Sequence, residues 1–449
     1  MSHDFFPRQP VPPARRAARD ILVLVFPWIT GAQRPAQDIQ AAVDQVLSSA
    51  NMNPADAGLA TQVAYGYCRH KGRIEFVLRT FLRSPDRIEP EVMMLMGMAV
   101  YEILLLDRIP EYASVDWAVS WIKAKWGGSQ GGVANAVLRR VCRERTSLLD
   151  PDFYRVKASL KTFLSRLYSW PDWLVKVMLD AYGPKIEAFL AAQTNEAPLG
   201  LRINGNASGA RSYYKLLASQ PECVYAHFPT IAMAPGAADI TQLGPGFESA
   251  LARGLVSRQS AASQAALAAL FPDHWQGPVL DACAGSGGKS FYLMETTDLE
   301  LWCADVHTTR LGRIVNEAKR LGLPQPPRFV ARADAPYPLK RDVKTILLDV
   351  PCSGLGVVAR RPDGKWKRSR ADLKKVIKTQ AAILDNAFAA LPKGGRLAYL
   401  TCTILPVENQ DQVASFIERT PGAKLLLQKL PDPESQLNEF FYAALIEKM

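Results

Sequence analysis

From residue 276 onward, short apolar runs alternate with longer amphipathic stretches, and few folds admit that alternation. The runs at 278–282, 301–304, 328–331, 344–348, 396–400, 424–428 and 440–446 suit strands. The stretches at 288–296, 308–322, 371–391 and 407–419 suit helices. The pattern predicts a doubly wound α/β layer. No helix separates the last two runs, which predicts an antiparallel edge pair. Ligands bind at the carboxyl ends of strands in such sheets. Two of those ends carry cysteine: Asp349-Val350-Pro351-Cys352-Ser353-Gly354 follows Thr345-Ile346-Leu347-Leu348, and Thr401-Cys402-Thr403 follows the run ending at Leu400. If the two strands are neighbours, two thiols and one carboxylate face one cleft. That arrangement suits covalent chemistry on an electrophilic base.

Val279 to Ser290 reads as strand, glycine turn and helix, with Cys283, Ala284, Gly285, Ser286, Gly287, Gly288 and Lys289 in the turn. Glycine lets the backbone approach a ligand closely. The phosphate-loop spacing would need glycine at 283, where Cys283 stands, and the dinucleotide spacing fails at Ser290. Asp305 ends the second strand, where a carboxylate can accept both hydroxyls of a ribose. Asp334 follows the third strand and could accept from an adenine amino group. Either aspartate alone is as readily a turn former. The ordered pair fits a nucleoside lying across the strand ends.

At 449 residues the chain calls for two or three domains. The net charge of +11 favours an anionic partner, nucleic acid first. Seven cysteines occur without a CxxC pair, so no metal site is expected and a reducing cytoplasm is. No run of 18 uncharged apolar residues occurs, so no membrane partner is expected.

Residues 1–13, with four prolines, read as a flexible arm. Residues 14–145 read as an all-α bundle of six or seven helices, including 59–68, 74–82, 89–105, 115–125 and 132–144. Residues 146–250 read as a connector with a small α+β subdomain: strands near 199–204 and 223–227, and a helix near 210–219. Residues 251–449 form the α/β domain. Within it, Arg360, Arg361, Lys365, Trp366, Lys367 and Arg368 lie in a basic segment that continues through Lys374, Lys375 and Lys378. Cations would neutralise phosphates there while the indole stacks on a splayed base.

Two resemblances add to this reading. The front region resembles the NusB-like RNA-binding domain, through Tyr65-Gly66-Tyr67-Cys68-Arg69, Tyr101-Glu102-Ile103-Leu104 with Arg108-Ile109-Pro110, and Asn135-Ala136-Val137-Leu138-Arg139-Arg140. Nearly the whole chain resembles the Sun (RsmB, Fmu-like) family of S-adenosylmethionine-dependent RNA cytosine-5 methyltransferases. The segments are Asp281 to Lys289, Asp349 to Gly356, Lys365-Trp366, Thr401-Cys402-Thr403 with Pro406 and Glu408-Asn409, and Phe440-Phe441-Tyr442-Ala443. The resemblance implies a class I methyltransferase (Rossmann-like) domain acting on RNA, and the helical front domain makes 16S ribosomal RNA the first choice; one front domain and one catalytic domain can act as a monomer. It places S-adenosylmethionine on residues 283–289, Asp305, Asp334 and Asp349. It makes Cys402 the nucleophile and Cys352 the thiol that assists release, with Asp349 on the N3 edge of cytosine and Lys289 beside the base. DNA cytosine-5 methyltransferases attack with the Pro-Cys thiol instead, which makes Cys352 the runner-up and a DNA enzyme the alternative within the class. The family carries Ala-Pro where Gly285-Ser286 stand, Asp at the position of Ser260 and Gly at that of Glu439. The altered glycine turn favours a different alternative, an RNA-binding ribosome-assembly factor with a degenerate catalytic domain.

Overall fold

The computed structural model describes residues 11–235 and 246–449, so most of the proline-rich arm lies outside the described residues. The chain divides into two compact units, Met1–Thr194 with Arg361–Lys367, and Asn195–Arg360 with Arg368–Met449.

The first unit is helical. Its longer helices are Pro13–Val25, Ile39–Ser49, Pro54–Phe81, Pro90–Leu105 and Glu111–Arg143. Asn53 caps the third by accepting from the Asp56 backbone N–H at 2.8 Å, and Pro54 occupies its first turn. The two predicted helices 59–68 and 74–82 are one, continuous through Gly72, where a Cβ would crowd the Trp366 ring at 2.9 Å. The helix Glu111–Arg143 does break, at Gly127 with φ 87° and ψ 173°, between the two helices predicted there. Ile39–Ser49, capped by Asp38, was not predicted. Pro90–Leu105 is buried on nearly every side. Its buried Glu102 is satisfied by Arg15 at 2.9 Å, Ser114 at 2.7 Å and Trp117 at 3.0 Å.

The second unit holds two sheets. Strands β1 (Leu199–Ile203), β2 (Cys223–His227), β3 (Thr230–Met233) and β4 (Val256–Arg258) form an antiparallel sheet in the order β2-β3-β1-β4. The sequence showed β1 and β2 but not β3 and β4, and β4 lies beyond the boundary expected at residue 250. The helices between 146 and 194 belong with the first unit.

The larger sheet comprises β5 (Val279–Asp281), β6 (Leu301–Asp305), β7 (Arg328–Val330), β8 (Thr345–Asp349), β9 (Arg396–Thr401), β10 (Ala423–Lys429) and β11 (Tyr442–Lys448), in the order β10-β11-β9-β8-β5-β6-β7. All seven lie where the apolar runs predict them. Neighbours from β9 to β7 pair in parallel, and β11 runs antiparallel to both β9 and β10. Helices cover both faces. Leu347 of β8 packs on one side with Phe291 and Ile314, while Ile346 and Leu348 pack on the other with Leu384 and Phe388. Burial on both faces explains why these strands read as continuous apolar runs. It is a class I, Rossmann-like methyltransferase fold.

Candidate active site

Strands β8 and β9 are parallel neighbours, with Asp349 opposite Leu400. The turns that follow them therefore meet. The sulfurs of Cys352 and Cys402 lie 3.1 Å apart, and the Cys402 backbone N–H donates to the Cys352 sulfur at 3.3 Å. The hydrogen bond to Cys402, reinforced by burial, raises the Cys352 thiol well above the ordinary cysteine range. Cys352 is therefore held as a neutral thiol.

A buried carboxylate ties the two turns together. Glu408 accepts from the Ser353 backbone N–H at 2.7 Å and hydroxyl at 2.5 Å, from the Thr403 hydroxyl at 3.0 Å and from the Gln380 amide at 3.1 Å. Gln380 also donates to the Pro351 carbonyl at 3.0 Å. Asn409 accepts from the Thr401 hydroxyl at 2.5 Å and donates to the Thr403 carbonyl at 3.0 Å. Gly356 closes the corner from the other side. Its N–H donates to the Cys402 carbonyl at 2.9 Å, and its carbonyl accepts from Phe440 at 2.8 Å. A Cβ at 356 would overlap the Phe440 carbonyl, so only glycine fits this crossing of three backbones.

Lys289 enters from the helix Gly288–Thr296 that follows β5. Its ammonium donates to Asp349 at 2.5 Å. Burial works against the lysine charge, but the Asp349 carboxylate outweighs it and the Lys289 pKa is raised. The ammonium also senses the Cys402 sulfur electrostatically and lies 5.8 Å from the centre of the Phe441 ring. Four residues predicted from scattered motifs, Cys352, Cys402, Asp349 and Lys289, thus share one corner.

The glycine turn lies one strand away, at the end of β5. Gly285 and Gly287 take φ of +56° and +87°. At Gly287 a Cβ would crowd Phe291 at 2.6 Å, whereas at Gly285 it would meet nothing within 4 Å. Gly287 thus serves the fold, and Gly285 fronts open space where a ligand can approach the backbone. Asp305 accepts from the Gly285 N–H at 2.9 Å and from the His307 N–H at 2.8 Å, one bond per oxygen. Each oxygen keeps lone-pair capacity for a hydroxyl. Beneath the turn, Asp281 accepts from Ser290 at 2.6 Å and from the Cys283 N–H at 3.3 Å, and burial pushes its carboxyl up to about 7. Asp334 pairs with Arg332 at 2.7 Å. The turn and its acids fit a bound nucleoside: an open glycine face, a carboxylate at the β6 end and a second after β7.

The basic segment departs from expectation. Lys365 is 1% exposed and donates to the Arg69 carbonyl at 3.0 Å, and burial lowers its pKa well below the usual lysine value. Trp366 donates to the Cys68 carbonyl at 2.7 Å, and Lys367 bonds the Gln37 carbonyl and Asp363. These three side chains are spent on partners inside the helical unit, so an open RNA strip through them is corrected. Arg361 stays exposed near Asp38. Arg368 donates to the Ser353 carbonyl at 2.9 Å, and Arg360 pairs with Glu439 at 2.9 Å. Glu439 also accepts from Ser260 at 2.7 Å, which joins two positions where the sequence departs from the resembled family. Sequence reasoning missed the bracing by Glu408 and Gln380. Only the Glu408-Asn409 pair beside Thr-Cys-Thr signalled it.

Comparison with known proteins agrees with this geometry. Residues 267–444 match the 16S rRNA methyltransferase RsmB/F family, residues 13–143 the NusB family, and residues 170–227 the ferredoxin-like domain of RsmF/B-like methyltransferases. The ribosomal RNA small subunit methyltransferase B of Salmonella arizonae is 31% identical over 92% of this chain and 97% of its own. The chain belongs to that family of S-adenosylmethionine-dependent methyltransferases. The corresponding Citrobacter koseri protein is also 31% identical, over 92% of this chain and 98% of its own. Among solved structures, PH0851 covers 98% of this chain and 99% of its own at TM-score 0.71 and 20% identity. A methyltransferase homologue from Pyrococcus horikoshii covers 65% of this chain and 100% of its own at TM-score 0.54 and 22% identity. Both show the fold alone. No helix among the described residues is long and apolar enough to cross a membrane.

Proposed function

We propose that this protein methylates carbon 5 of a cytosine in 16S ribosomal RNA through a covalent bond from Cys402 to carbon 6. The observation that carries the proposal is the pair of sulfurs 3.1 Å apart at the ends of β8 and β9, beside the Lys289–Asp349 pair.

Carbon 5 of cytosine is too weak a nucleophile to accept a methyl group directly. When the Cys402 thiolate adds to carbon 6, electron density moves onto carbon 5. After carbon 5 takes the methyl group, its proton passes to a solvent base, and the electrons of that C–H bond restore the ring double bond as the carbon–sulfur bond breaks and the thiolate departs. The addition turns one difficult displacement into easier steps. S-adenosylmethionine, when bound, supplies the electrophilic methyl group of a sulfonium. Residues 283–289, Asp305, Asp334 and Asp349 would hold it.

The two sulfurs take unequal parts. Cys352, held neutral, keeps its proton beside the attacking sulfur and assists its release. Lys289 places positive charge near the Cys402 sulfur. Asp349 faces the N3 edge of the base and accepts from it once N3 gains a proton as the adduct forms. The cytosine must be unpaired or extruded to reach this corner.

A denaturing gel with ribosomal RNA and cofactor tests the roles. Cys402→Ala is expected to abolish transfer, and Cys352→Ala to accumulate a covalent protein–RNA adduct. A Cys402→Ala enzyme with full activity would sink the assignment. Bisulfite sequencing of ribosomal RNA from a deletion strain identifies the base. An unchanged methylation pattern there, together with no cofactor binding by calorimetry, would favour the scaffold reading instead.

A further inference from the structure

We propose that Glu439 is a positioning residue whose pairing with Arg360 and Ser260 clamps the two cysteine turns in register. The proposal rests on the methyltransferase reading above and adds a determinant of it.

Glu439 is 4% exposed and sits one residue before Phe440. Both of its oxygens are engaged. Oε1 accepts from Arg360 Nε at 2.9 Å; Oε2 accepts from Arg360 Nη2 at 3.0 Å and from the Ser260 hydroxyl at 2.7 Å. The fork also reaches the Pro198 carbonyl at 3.1 Å. A two-point arginine–carboxylate pair fixes orientation as well as distance.

What the pair encloses gives it a role. Arg360 lies four residues beyond Gly356 on the loop that starts at Cys352. Gly356 donates to the Cys402 carbonyl, and Phe440 donates to Gly356. The ion pair therefore closes a short ring of backbone around the Gly356 crossing. One arm of the ring carries Cys352, another presses on Cys402, and the third enters β11. Asn438, at φ 53°, turns the chain into this position and donates to the Glu196 carbonyl at 3.1 Å. Ser260 ties the same carboxylate to the start of the helix Ala261–Ala268, which it also caps.

Without the carboxylate, the 352–360 loop keeps its bonds to Glu408 and the Arg360 bond to the Pro198 carbonyl, but loses the two-point pair that orients its far end. The distance between the sulfurs then loosens, while the glycine turn and Asp305 are untouched. The geometry also provides a rescue. The Ser260 hydroxyl lies 2.7 Å from the carboxylate that holds Arg360, so an aspartate at 260 can offer its own carboxylate to the same fork.

The test compares Glu439→Ala, Glu439→Gln and the double variant Ser260→Asp/Glu439→Gly with the wild type. Methyl transfer to ribosomal RNA gives kcat and both KM values. The rate of iodoacetamide alkylation at Cys402, read by mass spectrometry on the protein without RNA, gives the state of the corner. Glu439→Ala is expected to lower kcat by roughly ten- to a hundredfold, since displacements near 1 Å have that effect. Both KM values stay within about twofold, and alkylation at Cys402 changes in rate. Glu439→Gln falls between, and the double variant recovers most of kcat. A Glu439→Ala kcat within about twofold of wild type overturns the proposal. So does a loss confined to the KM for RNA, which would return Arg360 to the RNA surface, and so does a double variant no better than Glu439→Ala. If Glu439→Ala does not fold, Glu439→Gln and the double variant decide. If the wild type transfers no methyl group to ribosomal RNA, the functional reading fails, while the alkylation rates still judge the clamp.

Discussion

The cysteine corner and the glycine turn stand at the ends of nearby strands of one sheet, yet they are built in opposite ways. Side chains brace the corner from beneath: Glu408, Gln380 and Asn409 spend their polar atoms on the two cysteine turns. The glycine turn is held by backbone geometry and by Asp281 and Asp305, and its Gly285 face is left open. On the proposed mechanism, the difference follows from the tasks. A thiol that must form and break a carbon–sulfur bond needs its position fixed closely. A loop that must take up and release a nucleoside needs room, and carboxylates with lone pairs to spare. Rigidity sits where bonds are made, and openness where the ligand comes and goes.

The largest effect that would break this contrast is expected at Gly356. Gly356→Ala forces a methyl group onto the Phe440 carbonyl. It should cost about 2–4 kcal/mol of stability and lower methyl transfer by about a hundredfold. Urea unfolding and single-turnover transfer measure the two, and cofactor affinity should stay near the wild-type value. Asp305→Asn is the reciprocal case. It should weaken cofactor binding by about 1.5–3 kcal/mol, roughly ten- to a hundredfold in Kd by calorimetry, while the fold and Cys402 alkylation are unchanged. An Asp305→Asn protein with intact affinity would break the assignment of the open turn.

The smallest effect concerns Asp281. Its carboxyl rises from an ordinary 3.8 to about 7 on burial. The folded protein therefore holds a proton there that the unfolded chain has lost. Stability falls as pH rises from about 4 to about 7, and this group adds no further loss above that. Asp281→Asn should flatten the dependence, by a few kcal/mol at most between pH 5 and pH 8. Urea midpoints at the two pH values measure it, and an unchanged slope would remove Asp281 as its source.

Much of the larger sheet could be read because its strands are buried on both faces and separated by full helices. The corner could be read because cysteine is rare and both copies stand directly after strands. The small sheet was harder. β3 has four residues and β4 three, too few for a period to show. The gap expected between helices 59–68 and 74–82 holds Gly72, and a sequence does not display the Trp366 ring that packs against it. The basic segment misled for a similar reason. Composition counts Lys365 as a surface charge, but its partner is the Arg69 carbonyl, 296 residues away in sequence. Arg360 likewise looked like a phosphate ligand until Glu439 was seen beside it. Residue type and spacing show what chemistry is available; only packing shows which groups are already engaged.

The route of the chain through the small sheet limits how this protein can be cut. β1 lies at its centre, paired on one side with β3 and on the other with β4, which begins 53 residues after β1 ends and leads into the helix before β5. Arg202 of β1, 2% exposed, forks onto Glu295 at 2.7 Å and 3.0 Å and reaches the Gly288 carbonyl at 3.0 Å, at the start of the helix that carries Lys289. A fragment beginning at residue 251 would keep β4 as an orphan edge and leave Glu295 as a lone buried carboxylate, a loss of about 3–5 kcal/mol. The smallest self-sufficient catalytic piece therefore begins upstream of β1, and the small sheet is the inner wall of the enzyme rather than a detachable appendage.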